Sequence, residues 1–335
     1  MKEWTVDKKE AGTGLLKYCR ARLSAAPDSF FYKMARKKNL TVNDKKCTGR
    51  EILKEGDVVK LYVSDDTVVL FSKKTDEDLV SLGKTNPYAE TFHKLNGISV
   101  IDEEEDFLIL YKPAGVLSQK AKADDLSINE WCIGYLLEKG IMNEESLRIF
   151  KPSVLNRLDF NTAGLILCGI TPRGSRFGSE IIRDKSLRKF YLMEVEGKCE
   201  LNGTLEGFLS KDEKKNMVSF YKGEEEIPDG EKTSYVGIKV KSLEYREDTD
   251  STLMEAELLT GKSHQIRAIM ASFGYPLWGD MKYGHGGSKD GQRLLAYRLE
   301  FPEIHGDFAY LSKKVIELPV SGWNVEINCK IIQKT

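Results

Sequence analysis

Proline is scarce in this chain, with 9 in 335 residues, and 28 glycines are too few for a collagen-like architecture. The four histidines, His93, His264, His285 and His305, form no H-x-x-x-H or H-E-x-x-H pair. Cys19, Cys47, Cys132, Cys168, Cys199 and Cys329 include no C-x-x-C. Neither a metal site nor a redox motif is suggested, and isolated thiols fit a reduced, cytoplasmic setting. Long apolar runs are also missing. The N-terminus has no apolar core, and the uncharged apolar run from Ala163 to Ile170 falls far short of the roughly 20 residues a membrane helix needs, so neither secretion nor a membrane is expected. Finally, net charge is nearly absent: 51 Lys+Arg against 52 Asp+Glu leave −1, which as a total argues against a nucleic-acid partner. What is present, 41% hydrophobic and 31% charged residues over a length suited to two domains, describes an ordinary globular protein.

Divided by segment, the charge reads differently. Residues 12–63 carry twelve cations against five acids, about +7, whereas residues 73–106 carry four against nine, about −5. A compact module near +7 has the electrostatic footprint of a nucleic-acid binder. Within it, Leu15, Leu16, Cys19 and Leu23 recur at helical spacing. Asp28 is placed to cap a second helix that turns Phe31, Met34 and Ala35 inward and leaves Lys33, Arg36, Lys37 and Lys38 in solvent. A short strand, Leu40-Thr41-Val42, and an alternating one through Val59, Leu61 and Val63 follow.

Two basic helices leading into a small sheet, with Leu-Thr-Val-Asn and Glu-Gly-Asp-Val-Val, resemble the S-four-type RNA-binding domain of a ribosomal small-subunit protein over residues 13–64. A cation-rich helix face is more often merely solvated. Four cations between Lys33 and Lys38 with no interleaved acid exceed what solubility asks, so these four are expected to bind RNA.

Residues 73–97 are polar, include Asn86-Pro87 and are expected to be a linker between a module at 1–72 and a domain at 98–335. In that domain Phe107 to Tyr111 has the pattern of a buried strand, and Leu126 to Gly140 that of a helix. Strands dominate from Arg188 onward, and the charged stretch 211–231 suits a surface hairpin or loop.

The chemistry concentrates in Asn156-Arg157-Leu158-Asp159-Phe160-Asn161-Thr162-Ala163-Gly164-Leu165-Ile166-Leu167, where an Arg/Asp pair at a polar turn runs into an apolar strand. That arrangement presents a carboxylate at the rim of a sheet, although on spacing alone a salt bridge or Asx-turn is as good an account. The stretch resembles the catalytic motif of the large-subunit ribosomal RNA pseudouridine synthases, Arg-Leu-Asp-x-x-Thr-x-Gly-Leu. Three further blocks agree in order: Lys112-Pro113-Ala114-Gly115, Lys189-Phe190-Tyr191, and Thr260-Gly261-Lys262-Ser263-His264-Gln265-Ile266-Arg267 with Gly279-Asp280 after it. Asn156 stands where the family usually has His, Gln119 where many members have His, and Lys262 in place of Arg.

The resemblance implies an α+β catalytic domain with a mixed, largely antiparallel central sheet and flanking helices, carrying the small α/β RNA-binding module at its N-terminus. It implies isomerisation of uridine to pseudouridine in structured RNA, with ribosomal RNA ahead of transfer RNA, by a monomer that uses no metal and no small-molecule cofactor. Asp159 becomes the catalytic carboxylate. Seating it beneath a base penalises its charge, which a nearby cation, Arg267, offsets. Tyr191 offers a stacking face and a hydroxyl able to relay the proton from carbon 5; Ile266 closes the other side of the pocket; Arg157 serves as wedge or phosphate clamp for a flipped nucleotide. His264 is expected to orient its turn rather than to catalyse. Two other classes compete. A non-catalytic RNA-binding or ribosome-assembly factor on the same fold would be free to lose Asp159, and a nucleoside glycosidase calls for a second carboxylate that no block supplies.

Overall fold

The computed structural model describes residues 1–72, 86–212, 217–285, 291–321 and 324–325. The N-terminal unit comprises β1 (Lys2–Thr5), α1 (Leu15–Arg22), α2 (Asp28–Arg36), β2 (Leu40–Val42), β3 (Lys45–Lys46), β4 (Val58–Leu61) and α3 (Asp65–Ser72). Its strands form an antiparallel sheet in the order β1-β4-β2-β3. Leu15, Cys19 and Leu23 of the first helix and Phe31 and Ala35 of the second are buried against Leu40, Val59 and Leu61, which gives this unit a core of its own. One expectation fails locally. Asp28 does not cap α2: Pro27 holds the N-cap position, and the Asp28 carboxylate faces Arg20 Nε at 3.2 Å instead.

The segment expected as a linker is partly structured. Residues 73–85 lie outside the described residues, but α4 (Pro87–Lys94) is a helix whose N-cap, Asn86, accepts the Tyr88 N–H at 3.0 Å. It packs on α5 (Ile128–Glu138), with Phe92 5.2 Å from the Trp131 ring. The backbones come so close at Gly134 that a β-carbon there would lie 2.3 Å from the Tyr88 carbonyl oxygen. The Asn-Pro pair that reads as a loop signal is here a helix start.

The elements that build and flank the large sheet are β5 (Ser99–Glu103), β6 (Phe107–Lys112), α6 (Glu144–Ile149), β7 (Ser153–Val154), β8 (Ala163–Gly169), α7 (Pro172–Arg183), β9 (Arg188–Glu196), β10 (Gly203–Asp212), β11 (Met217–Tyr221), β12 (Thr233–Arg246), β13 (Ser251–Leu258), α8 (Gln265–Ser272), β14 (Leu294–Glu300) and β15 (Val315–Glu317). They build a sheet in the order β11-β10-β12-β13-β9-β14-β8-β6-β5, with β7 on β8 and β15 on β14. Among the described ladders every pair is antiparallel except β8 with β14. The architecture is thus the expected α+β one, and the charged stretch 211–231 begins as the β10/β11 hairpin.

Both faces of the sheet are covered, which is why its central strands read as unbroken apolar runs rather than alternating ones. Leu108, Leu110, Ile166, Tyr191 and Met193 face a core shared with Trp131 of α5 and Ile269 of α8. Phe107, Ile109, Leu165, Leu167 and Phe190 face the opposite core, with Ile181 of α7. The N-terminal unit meets this domain through Lys8 Nζ on Glu105 at 2.8 Å and Arg176 donating to the Gly12 carbonyl at 2.8 Å. Among the described residues no helix is long and apolar enough to cross a membrane.

Candidate active site

The turn that carries Asp159 is clamped by its neighbours. Thr162 N–H donates to the Asp159 carbonyl at 3.0 Å, closing the turn just before β8. The Ser118 hydroxyl donates to the Leu158 carbonyl at 2.8 Å and accepts the Leu158 N–H at 3.0 Å. Phe160 presents its carbonyl to Gly115 N–H at 2.9 Å and to Lys112 Nζ at 3.2 Å. Asn156, which replaces the usual His, spans β8: its amide donates to the Leu165 carbonyl at 3.1 Å and accepts the Leu167 N–H at 2.7 Å. An amide carries both a donor and an acceptor for this double contact, so the replacement keeps the loop tied to the strand. Gly164 is demanded by the parallel β8/β14 contact, since at φ 131° a β-carbon would fall 2.3 Å from the Ala296 carbonyl oxygen.

Arg267 reaches Asp159 from α8. Its helix start is fixed by Gln265, whose side chain accepts from Thr260 Oγ1 at 2.9 Å and Lys262 N at 3.0 Å and donates to the Gly237 carbonyl at 2.9 Å. Arg267 is buried, donates from Nε and Nη2 to Asp280 at 2.7 Å each, and holds Nη1 3.5 Å from Asp159 Oδ2. Burial opposes the charge on Asp280, but the paired Arg267 bonds and the N–H groups of Lys282 and Tyr283 outweigh it and hold its carboxyl below the usual carboxylate range. The same pairing overcomes the burial of Arg267 and keeps the guanidinium charged.

These groups open on a cleft of about 590 Å³ lined by Asp159, Arg157, Tyr191, Ile266 and Arg267, five residues that sequence reasoning put in the site. Lys120, Lys189 and Lys262 join Arg157 and Arg267 on its wall, where Asp159 is the sole carboxylate among the described residues. A wall so one-sided in charge suits a polyanion. Tyr191 is buried on β9 facing the cleft, and burial together with Asp159 pushes its hydroxyl up, so it stays protonated. Lys33, Arg36, Lys37 and Lys38 stand elsewhere, exposed on the N-terminal unit and without an ion pair among the described residues. Arg157 is exposed at the mouth of the cleft.

Sequence reasoning gave no role to Asp280, Lys112 or Tyr283. Asp280 stands in the Gly-Asp pair after the Arg267 block and Lys112 in the Lys-Pro-x-Gly turn, so both lay within quoted motifs. Fully buried, Lys112 donates to the carbonyls of Pro113, Val116 and Phe160 at 3.0, 2.8 and 3.2 Å; burial, opposed by Asp159, pulls it down to about 8.

The model of the RNA pseudouridylate synthase family matches residues 106–272, which include Asp159, Tyr191, Ile266 and Arg267. Ribosomal large subunit pseudouridine synthase C of Vibrio parahaemolyticus is 28% identical over 285 residues, covering 83% of this chain and 79% of its own. An uncharacterised RNA pseudouridine synthase of Mycoplasma capricolum is 23% identical over 325 residues, covering 94% and 97%. Among solved structures, human RNA pseudouridylate synthase domain containing 1 is 17% identical with a TM-score of 0.48, covering 67% of this chain and 83% of that one. With the matched segment running from the strand before the first turn through the helix that delivers Arg267, the chain belongs to the RNA pseudouridylate synthase family.

Proposed function

We propose that the protein isomerises uridines in ribosomal RNA to pseudouridine, as a cytoplasmic monomer, with Asp159 as the catalytic carboxylate. The observation that carries this is the contact of Asp159 with Arg267 inside a cleft that holds no second carboxylate among the described residues. The reaction breaks the bond between the sugar and nitrogen 1, turns the uracil, and joins carbon 5 to the sugar with loss of its proton. It consumes no water, electrons or phosphate. One carboxylate suffices to attack the nucleoside or to take a sugar proton. A glycosidase would need another to activate water, and Asp280, the other carboxylate on Arg267, is buried with both oxygens accepting from that residue.

The surrounding groups divide the remaining work. Arg267 steadies the Asp159 charge in a site from which a bound base excludes water. Tyr191 supplies a stacking face, and its protonated hydroxyl fits a donor to the base better than a resident base. Ile266 closes the pocket. The uridine must leave its stack to reach Asp159, and the exposed Arg157 fills the vacated space or holds the flanking phosphate. Lys33 and Arg36 of α2 and Lys37 and Lys38 just after it, without ion pairs among the described residues, grip RNA away from the cleft, in keeping with the ribosomal substrate named for the Vibrio relative.

The test is Asp159→Asn. The variant is expected to form no pseudouridine in total RNA from a strain lacking the protein, while binding that RNA as the parent does. Modification at the parental level by the variant would overturn the assignment.

A further inference from the structure

His264 and Tyr283 stand in line behind Asp159. The Tyr283 hydroxyl accepts the Val218 N–H at 2.9 Å and lies 3.0 Å from His264 Nδ1. Across the ring, Nε2 faces Asp159 Oδ2 at 4.0 Å. Three proton arrangements are open to such a histidine. A proton on Nδ1 alone would aim the Nε2 lone pair at a carboxylate and make the Tyr283 oxygen accept two donors. A doubly protonated ring is favoured by Asp159 and Asp280 but opposed by burial, by Arg267 and by Lys282, and the balance lies below the ordinary histidine value. The neutral ring protonated at Nε2 satisfies every partner: Tyr283 O–H donates to Nδ1, and Nε2–H points at the carboxylate.

The same oxygen, Oδ2, is the one that Arg267 Nη1 meets at 3.5 Å. Among the described residues Oδ1 has no hydrogen-bond partner. We infer that His264 is a positioning residue, its Nε2–H directed by Tyr283 onto Asp159 Oδ2, and that Oδ1 is the oxygen presented to the ribose. The inference rests on the isomerase reading above. A 4.0 Å separation is longer than a hydrogen bond, and contacts of this kind tighten when substrate fills the site. The role goes beyond the expected one of orienting the turn: His264 occupies the N-cap of α8 at φ 56°, in the left-handed region, but its side chain makes no capping bond there. Because Val218 lies in β11, the far edge of the sheet is linked to the catalytic carboxylate through two side chains.

Two measurements test this. Imidazole ¹⁵N shifts of labelled protein, with the His264 signal identified by its loss in His264→Asn, should show Nε2–H at neutral pH. In Tyr283→Phe the ring should shift toward a mixture of tautomers. A ring protonated at Nδ1, or at both nitrogens, overturns the inference. Kinetics by tritium release from [5-³H]uridine-labelled RNA of a strain lacking the protein supply the second. Asn tolerates the left-handed backbone but is too short to reach Asp159. His264→Asn should therefore lower kcat roughly tenfold with KM unchanged, and His264→Gln, whose amide nitrogen falls near the position of Nε2, should recover most of that loss. Unchanged kcat in His264→Asn, or equal loss in both variants at equal melting temperature, overturns it. Asp159→Asn run in parallel separates the two failures: its activity decides the isomerase reading, and the ring shifts and the Asn/Gln contrast decide this one.

Discussion

Asp280 takes Nε and Nη2 of Arg267 at 2.7 Å each, and so Nη1 alone is left to face Asp159. The pair is buried, and removing one member strands the other's charge. Asp280→Asn should cost about 3–5 kcal/mol in denaturant unfolding and lower kcat by roughly ten- to a hundredfold as Arg267 loses its fixed orientation. Combined with Arg267→Met, the loss should be well below the sum of the single losses. The acid dependence has a definite sign. A carboxyl held below its unfolded value contributes stability above that value, near pH 4, and loses it as pH falls through the lower folded value. Asp280→Asn should therefore show a shallower acid decline.

Lys112 yields a pH dependence of the same sign in an alkaline window. Lys112→Met takes a donor from the carbonyls of Pro113, Val116 and Phe160, of which Phe160 keeps the Gly115 N–H, and should destabilise the protein by about 2 kcal/mol. With the folded value pulled down to about 8 from an ordinary 10.5, the unfolded chain binds more protons between those limits. Stability from this group therefore rises with pH in that window, and the advantage of wild type over Lys112→Met should widen from pH 8 to 10.5.

Gly164→Ala tests the parallel seam. The added methyl meets the Ala296 backbone at 2.3 Å and φ is 131°, so the strands must part or the turn must move. A loss of about 3 kcal/mol is expected from overlap and strain together. Calorimetry against Gly115→Ala, where a β-carbon meets nothing within 4 Å, corrects for backbone conformation.

For the basic module the measurement is salt. Replacing Lys33, Arg36, Lys37 and Lys38 with Ala should reduce the log–log salt slope of RNA affinity by about 3 while leaving protein stability unchanged. An unaltered slope would make these side chains surface only.

How much of this was legible in the chain follows from how local each signal is. The helix through Leu15, Cys19 and Leu23 and the strand through Phe107 and Ile109 are written in spacing, and both stand. Asp28 looks like a cap because caps are read from residue type, yet Arg20, one helix earlier, competes for the same carboxylate. Asn86-Pro87 reads as a loop, but Pro is equally at home at the first helical position, and only contact with Gly134 decides. The Arg-Leu-Asp motif placed Asp159, whereas Asp280 and Tyr283 act through side chains more than a hundred residues away in sequence from Asp159. The order of strands was not legible, because β9 pairs with β13 and β14 for reasons that reside in distant segments.

That strand order has a consequence for the chain as it is made. β9, which carries Tyr191, leaves the ribosome well before β13 begins at Ser251 and β14 at Leu294. The N-terminal unit, by contrast, has all its strands by Leu61. Domains fold in order of synthesis, and pairing between remote segments is slow. The nascent chain is therefore a small basic particle tethered at the ribosome long before it has a catalytic site, and any fragment released in that interval would carry the charged unit without the chemistry.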